Sequence, residues 1–215
     1  MKSEAFLMDC MEGMKNTPDK YYDLAVVDPP YGIGVVASGK IGSGSRAKAK
    51  DYGAKEWDKQ PPSDEYFSQL RRVSKNQIVW GANHFISKLP FDSSCWLVWD
   101  KDNSGDYADC ELAWTSFDTA VRKFMWRWSG MRQQNMKQKE IRIHPTQKPV
   151  ALYDWIFNKY ATPGMKILDT HLGSGSSRIA AYKAKLDFTG YEIDAEYFEA
   201  QEKRFQNFIA QGTLF

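Results

Sequence analysis

Short apolar runs separated by turn residues alternate along the chain with longer segments of helical periodicity. The apolar runs predict seven strands, at 5–8, 24–27, 78–80, 96–99, 112–114, 165–168 and 188–191. Helical spacing predicts four helices, at 63–75, 149–160, 176–185 and 195–209. This alternation predicts an α/β fold with a doubly wound, mostly parallel sheet.

The length of 215 residues predicts one domain, residues 1–215, rather than two. One internal stretch departs from the alternating pattern. Residues 37–62 are rich in Gly, Ser, Ala and Lys, and their polarity predicts a mobile loop that does not pack. Because this loop follows an unusual Asp-Pro-Pro-Tyr sequence, it is a candidate lid, and simple disorder is the alternative.

Charge is unevenly distributed, although the net charge is only +2. Residues 122–148 carry +7 and residues 38–55 carry +4, which leaves −9 for the remainder. Such asymmetry predicts a polyanion-binding face, and solvated basic loops are the alternative. The candidate polyanion contacts are Arg122, Lys123, Arg127, Arg132, Lys137 and Lys139.

Cysteine and histidine usage gives no sign of a metal site or a disulfide framework. The three cysteines and three histidines are scattered without metal-ligand spacing. No apolar stretch approaches membrane-spanning length, and the start MKSEAFLMDC has no signal-peptide core. We therefore expect no metal, no membrane association and a cytoplasmic location.

An acidic residue follows several of the predicted strands. Asp9, Asp28, Asp169 and Glu192 each lie at or just after a strand end. Because ligands bind at the carboxyl ends of parallel strands, these four carboxylates are expected along one edge of the sheet.

A glycine pair follows Asp169 in the sequence THLGSGSS. Gly173 and Gly175 would let the backbone approach a ligand at the start of a helix. Glu192 lies 19 residues beyond Gly173, where a carboxylate can bind a ribose diol. This pattern indicates a cofactor that contains adenosine, and NAD is a candidate on these residues alone.

The sequence DPPY, residues 28–31, suits an amino group on an aromatic ring. Proline cannot donate to a sheet, so Pro29 and Pro30 lie past the strand end in a stiff turn. Such a turn fixes two acceptors, the Asp28 carboxylate and the Pro29 carbonyl, which match the two donors of an –NH₂ group. Tyr31 adds an aromatic face suited to stacking on a base.

Four segments in one order resemble the amino-methylating DNA methyltransferases. DPPY resembles their catalytic motif, and HPTQKP at 144–149 resembles the segment that precedes their cofactor-binding helix. DTHLGSGSS resembles their cofactor loop, and GYEID at 190–194 resembles the segment that carries their ribose-binding acid. The order, with the catalytic motif first, is similar to the permuted class called beta. The resemblance covers most of the chain, and it implies a Rossmann-like methyltransferase fold and S-adenosylmethionine as cofactor.

The resemblance also implies the roles of individual residues. Asp28, Pro29, Pro30 and Tyr31 would form the catalytic turn, and Glu192 would bind the cofactor ribose. The other implied cofactor contacts are Asp9, Asp28, His144, Thr146, Gln147, Lys148, Asp169, Gly173, Gly175 and Ser176. Residues 170–172 depart from the family pattern of a proline followed by an aromatic residue or cysteine.

The resemblance implies methylation of adenine N6 in duplex DNA, on a base that has been flipped out of the helix. Cytosine N4 is the first alternative, because both amines suit the same turn. An RNA or protein methyltransferase and a non-catalytic DNA-binding module are weaker alternatives. Residues 101–143 are the stretch left for sequence recognition, so a short recognition site, relaxed specificity or help from a second subunit in a homodimer is expected.

The C-terminal sequence QGTLF, residues 211–215, resembles the peptide by which bacterial DNA-processing proteins bind the replication sliding clamp. Gln211, Leu214 and Phe215 would be its anchors. The sliding clamp is therefore a candidate partner.

Overall fold

An eight-stranded mixed sheet forms the centre of the structure, a computed structural model. The structure describes residues 1–34, 40–41, 50–53, 55, 57–90, 92–103, 108–129 and 132–212. The strands are β1 (Ser3–Leu7), β2 (Tyr22–Val27), β3 (Lys40–Ile41), β4 (Lys50–Asp51), β5 (Ser74–Trp80), β6 (Trp96–Asp100), β7 (Cys110–Thr115), β8 (Arg122–Met125), β9 (Trp128–Ser129), β10 (Arg132–Gln133), β11 (Lys166–Asp169) and β12 (Asp187–Glu192). The helices are α1 (Cys10–Lys15), α2 (Asp64–Val73), α3 (Val150–Tyr160), α4 (Ser176–Lys183) and α5 (Ala195–Gly212).

The main sheet has the order β1-β12-β11-β2-β5-β7-β6-β8. Strand β7 pairs antiparallel with β5 and β6, and the other neighbouring pairs of this sheet are parallel. All seven predicted strands belong to this sheet, so the prediction of a mostly parallel α/β sheet is confirmed. Strands β3–β4 and β9–β10 form separate two-stranded hairpins.

Helices cover both faces of the sheet, because successive side chains of a strand point to opposite sides. Leu24 and Val26 belong to the core cluster that contains residues of α3 and α4. Ala25 and Val27 belong to the cluster that contains residues of α1 and α2. A strand buried on both faces carries a continuous apolar run, which is why β2 was recognisable from the sequence. No helix in the described part of the chain has the length and apolarity needed to cross a bilayer.

Two elements of the main fold were not predicted. Strand β8 pairs with β6 at the edge of the sheet and has the sequence RKFM, whose Arg122 and Lys123 are exposed. An edge strand tolerates charged residues that mask an apolar pattern. Helix α1 has six residues, too few for helical periodicity, and Asp9 caps it by accepting the backbone N–H of Met11.

Two predicted segments contribute to the packed fold where the structure describes them. Strands β7 and β8 lie in the main sheet, so part of segment 101–143 belongs to the core architecture. Half of segment 37–62 lies outside the described residues, but its described end does pack. Asp58 is 2% exposed, which corrects the expectation that this segment is too polar to pack. The cause is local: the backbone N–H groups of Tyr31 and Gly32 donate to the Asp58 carboxylate.

Candidate active site

The carboxyl ends of parallel strands meet around a cavity of about 290 Å³. Strands β1, β12, β11 and β2 are consecutive in the sheet, which brings the residues after them to one edge. The predicted site residues that line the cavity are Asp9, Asp28, Pro29, Pro30, Tyr31, His144, Thr146, Gln147, Lys148, Gly173 and Glu192. Asp169, Gly175 and Ser176 are buried behind this lining.

The turn after β2 is held by hydrogen bonds from both sides. The Tyr31 hydroxyl donates to Asp28 Oδ1 at 2.7 Å. The backbone N–H groups of Tyr31 and Gly32 donate to Asp58 Oδ1 at 2.9 and 3.0 Å. Asp58 could not be predicted from the sequence, because its partners are backbone groups 26 and 27 residues away.

The Tyr31 ring is fixed by two residues that follow β5. It stacks on the exposed His84 ring with centroids 4.9 Å apart and planes 16° apart. Gly81 lies close against the same ring, and a Cβ atom at position 81 would be 2.0 Å from Tyr31 Cε1. Gly81 also has φ +69°, so glycine is required here for both space and backbone conformation.

Lys148 contacts the Asp28 turn, whereas the family resemblance implied a contact with the cofactor. Its Nζ lies 2.5 Å from Asp28 Oδ2 and 3.0 Å from Glu111 Oε2. Glu111, on β7, also pairs with Lys101 at 2.5 Å. A single acid within a short strand resembles many surface acids, so sequence reasoning missed Glu111.

Burial and the two lysines set the pKa values in this cluster. Burial raises the pKa of the Asp28 carboxyl, and the Lys148 ammonium offsets part of that rise. Burial acts the same way on Glu111, but Lys148 and Lys101 outweigh it and lower the pKa of that carboxyl to about 2. Burial lowers the pKa of Lys148, but the two carboxylates outweigh it and raise that pKa, so the ammonium stays charged.

Glu192 organises the loop between β11 and α4. Its Oε2 accepts the Gly173 N–H at 2.8 Å, and its Oε1 accepts the Asp194 N–H at 2.9 Å. Burial raises the pKa of this carboxyl, and the backbone N–H groups oppose the rise. Each carboxylate oxygen has a second lone pair that can accept a ligand hydroxyl.

An apolar side chain lies directly beside this acid. Ile193 lines the same cavity and is 65% exposed, which provides an apolar surface for a flat ring. A carboxylate with free acceptor capacity next to an apolar surface fits the ribose and base of an adenosine group.

Segment 144–148 and the described end of loop 37–62 lie over this part of the cavity. The His144 ring stacks on Trp57 with centroids 5.4 Å apart and packs edge-on against Tyr197. Lys55 pairs with Asp194 at 2.8 Å. Burial lowers the pKa of His144 to about 3, so its ring is neutral at physiological pH.

Three predicted cofactor residues make mainly structural contacts. Gln147 accepts the Ile143 N–H through its side chain and the Trp128 indole N–H through its carbonyl. The Ser176 hydroxyl accepts a hydrogen bond from Arg204, and Gly175 lies against Gln201. Gly175 and Ser176 therefore face α5 rather than the cavity.

The loop that departs from the family pattern is well packed. Thr170 and Tyr66 hydroxyls are 2.6 Å apart, and His171 Nδ1 lies 2.9 Å from the Thr170 hydroxyl. Burial lowers the pKa of His171 to about 4. Thr170 and His171 line the cavity together with Leu172, so the departure leaves a formed pocket wall.

Asp169 is a buried carboxyl whose ionisation is linked to folding. Burial raises its pKa to about 7, although it accepts the Ser177 hydroxyl at 2.5 Å and the His171 N–H. An acid with a raised folded-state pKa binds more protons when folded than when unfolded. Stability therefore falls as pH rises from about 4 towards 7, by at most roughly 1.4 kcal/mol per pH unit.

We expect the substitution Asp169→Asn to remove this pH dependence. The free energy of unfolding is measured for both proteins by denaturant titration at pH 5, 6, 7 and 8. As pH rises, the value for the variant should increase relative to the value for wild type. A constant difference between variant and wild type across this range would contradict the buried, titrating Asp169.

The six predicted polyanion contacts are exposed around β8 and the segment that follows it. They are Arg122, Lys123, Arg127, Arg132, Lys137 and Lys139. Lys123 pairs with Asp100, and Arg127 pairs with Asp102. The two tryptophans interleaved with these bases belong to the core: Trp128 is 6% exposed, and Trp126 packs against the same cluster.

The C-terminal anchors are only partly described. Gln211 is exposed near the end of α5. Leu214 and Phe215 lie outside the described residues.

Sequence comparison identifies a matching family. The model of a family described as DNA methylase, comprising N6 and N4 enzymes, matches residues 89–203, just over half of the chain. The Type II methyltransferase M.HinfI of Haemophilus influenzae is 23% identical over an alignment of 241 positions that covers 91% of this chain. The chain spans 66% of the length of that relative.

Two solved structures have a similar fold. The M1.HpyAVI–SAM complex has a TM-score of 0.56 and 20% identity, covering 94% of this chain and 98% of that one. The cytosine-N4-specific PvuII DNA methyltransferase has a TM-score of 0.62 and 13% identity, covering 95% of this chain and 86% of that one. At these identities the similarity concerns the fold.

Proposed function

The chain belongs to the DNA methylase family, and on that premise we propose that it transfers a methyl group from S-adenosylmethionine to adenine N6 in duplex DNA. The observation that carries the proposal is the single cavity lined by both the Asp28 turn and Glu192. A methyl donor bound at Glu192 and an amine bound at Asp28 would share this space.

The cofactor-binding residues fit S-adenosylmethionine. Glu192 would accept the ribose hydroxyls, Ile193 would contact the adenine, and Gly173 and His144 would line the path towards Asp28. A structural relative of this chain is described as a SAM complex. When bound, the cofactor would supply an electrophilic sulfonium methyl group.

The Asp28 turn would activate and orient the amine. An aromatic amine is a poor nucleophile because its lone pair is delocalised into the ring. Hydrogen bonds to the Asp28 carboxylate and the Pro29 carbonyl would favour tetrahedral geometry at nitrogen and aim the lone pair at the methyl group. The amine loses a proton on methylation, and Asp28, whose pKa is raised by burial, would accept it.

The target base must leave the duplex to reach this cavity, at a cost of a few kcal/mol. Tyr31 would stack on the flipped base with the ring face that points away from His84. The exposed basic residues around β8 would contact the phosphate backbone, and their charge would make binding salt-dependent. A homodimer would extend the surface available for recognition beyond residues 101–143.

Cytosine N4 is the second candidate target, because its amine offers the same two donors. The PvuII structural relative is described as specific for cytosine N4. The DPPY sequence supports adenine, since SPPY is more common among the cytosine-N4 enzymes the chain resembles. A DNA substrate also implies a location in the cytoplasm of a bacterial or phage-infected cell.

The experiment that tests the proposal is transfer of tritium from labelled S-adenosylmethionine to genomic duplex DNA, RNA or protein. The DNA is then hydrolysed, and its nucleosides are separated. We expect label in N6-methyladenine. Label in N4-methylcytosine would select the alternative, and label only in RNA or protein would contradict a DNA methyltransferase.

We also propose that the C-terminal QGTLF binds the replication sliding clamp. Gln211 is exposed at the end of α5, where a following peptide could enter a groove. Deletion of residues 211–215 should abolish retention of the sliding clamp in a pull-down, while methyl transfer to naked DNA stays within about twofold of wild type. Undiminished clamp retention after the deletion would contradict this assignment.

A further inference from the structure

The ammonium group of Lys148 contacts the Asp28 carboxylate, which is a proposed acceptor for the target amine. Lys148 Nζ lies 2.5 Å from Asp28 Oδ2, and the lysine side chain is 4% exposed. The other carboxylate oxygen, Asp28 Oδ1, accepts the Tyr31 hydroxyl at 2.7 Å. Both oxygens of the Asp28 carboxylate, one of the two acceptors proposed for the target amine, therefore already face a hydrogen-bond donor of this chain.

A second carboxylate lies within reach of the same ammonium. Lys148 Nζ is 3.0 Å from Glu111 Oε2, and the Tyr31 hydroxyl is 3.1 Å from Lys148 Nζ. Lys148 can therefore leave Asp28 without losing a charged partner. The alternative, a buried ammonium left unpaired, would cost several kcal/mol.

A second lysine balances the charge of the cluster. Lys101 pairs with Glu111 Oε1 at 2.5 Å, so two carboxylates face two ammonium groups. Glu111 lies on β7, and Lys101 directly follows β6. Both residues are inside segment 101–143, which is expected to recognise DNA. The charge cluster thus joins that segment to the catalytic turn.

We propose that Lys148 occupies the amine position on Asp28 until the flipped base arrives, and that Glu111 then accepts the displaced ammonium. Both are positioning residues, and the inference rests on the proposed methyl transfer at Asp28. The ammonium resembles the amine in its N–H donors, so the turn keeps its geometry with and without substrate. No covalent bond forms or breaks in this exchange.

The proposal predicts non-additive effects in a double-mutant cycle. In Glu111→Gln the ammonium has only Asp28 as a charged partner, so it competes with the amine and turnover falls about 10- to 100-fold. In Lys148→Met no ammonium needs an acceptor, so adding Glu111→Gln should change turnover by less than about threefold. Affinity for S-adenosylmethionine should stay unchanged in Glu111→Gln.

The two single variants should also shift the acid limb of the pH–rate profile in opposite directions. Lys148 lowers and Glu111 raises the pKa of Asp28, so Lys148→Met moves the limb to higher pH and Glu111→Gln moves it to lower pH. The other titratable groups that interact with this cluster are Tyr31, Tyr66, Tyr153, Asp169, Lys101 and His144, and none of them is substituted in either variant.

The test measures turnover on genomic duplex DNA for wild type, both single variants and the double variant between pH 5.5 and 9. Lys75→Met is the matched control, because Lys75 pairs with Asp23 at the opposite end of the same sheet. Carbon-13 NMR of the Asp28 carboxyl in the free protein gives its pKa without any turnover.

The expected result is a large effect of Glu111→Gln only when Lys148 is present, with Asp28 pKa values shifted in opposite directions. If the wild type is active but the two substitutions reduce turnover independently, so that their effects multiply, this inference alone is overturned. Equal Asp28 pKa values in the two single variants would also overturn it. Wild type inactive on every DNA would overturn the proposed function and the exchange with it.

Discussion

Replacing Asp28 with alanine should reduce methyl transfer to DNA at least about 1,000-fold while cofactor affinity stays within about threefold. The variant removes the carboxylate that we propose orients the amine and accepts its proton. Lys148 keeps Glu111 as its ion partner, so the fold should survive. Single-turnover transfer of label and calorimetric titration with S-adenosylmethionine measure the two quantities separately.

Asp23→Ala is the matched control for this variant. Asp23 is also on β2, at its opposite end, where it pairs with Lys75. We expect a small loss of stability and unchanged transfer in the control. Transfer by Asp28→Ala within tenfold of wild type would contradict the catalytic assignment of the turn.

Replacing Glu192 with glutamine should weaken cofactor binding about 10- to 100-fold, as loss of charged hydrogen bonds costs about 1.5–3 kcal/mol. The carboxylate accepts N–H groups from both Gly173 and Asp194. A glutamine amide has one oxygen, so its –NH₂ group would face one of these donors and shift the loop. At saturating cofactor, turnover should recover to within a fewfold of wild type.

Glu196→Gln provides the control for Glu192. Glu196 is a nearby carboxylate whose side chain is 78% exposed and which pairs with Lys55. Its substitution should leave the dissociation constant of S-adenosylmethionine within about twofold. Equal constants for Glu192→Gln and wild type would contradict the ribose-binding role.

The fold could be predicted from the sequence where a residue pattern is compatible with only one kind of structural element. Strands such as β2 are buried on both faces, so they appear as unbroken apolar runs. The paired prolines marked the end of that strand, and the acids after neighbouring strands indicated a shared edge. Strand order and the reversal of β7 depend on long-range pairing, which local patterns do not encode.

The contacts that complete the candidate site were less predictable. Glu111 comes from β7 and reaches Lys148, 37 positions later in the chain. The Asp58 carboxylate accepts backbone N–H groups of the turn that follows Asp28. Many short polar residues could make such a contact, so nothing in the sequence singles out Asp58. Ion pairs between distant segments leave no periodicity, so only the folded chain reveals them.

We propose above all that this chain methylates DNA through the Asp28 turn. The most direct measurement is nucleoside mass spectrometry of chromosomal DNA from a bacterial host without adenine methylases of its own. The host expresses either the wild-type chain or Asp28→Ala at matched levels. We predict N6-methyladenine in the wild-type DNA and none above background with Asp28→Ala, whereas equal methylation by both, or none by the wild type, would contradict the claim.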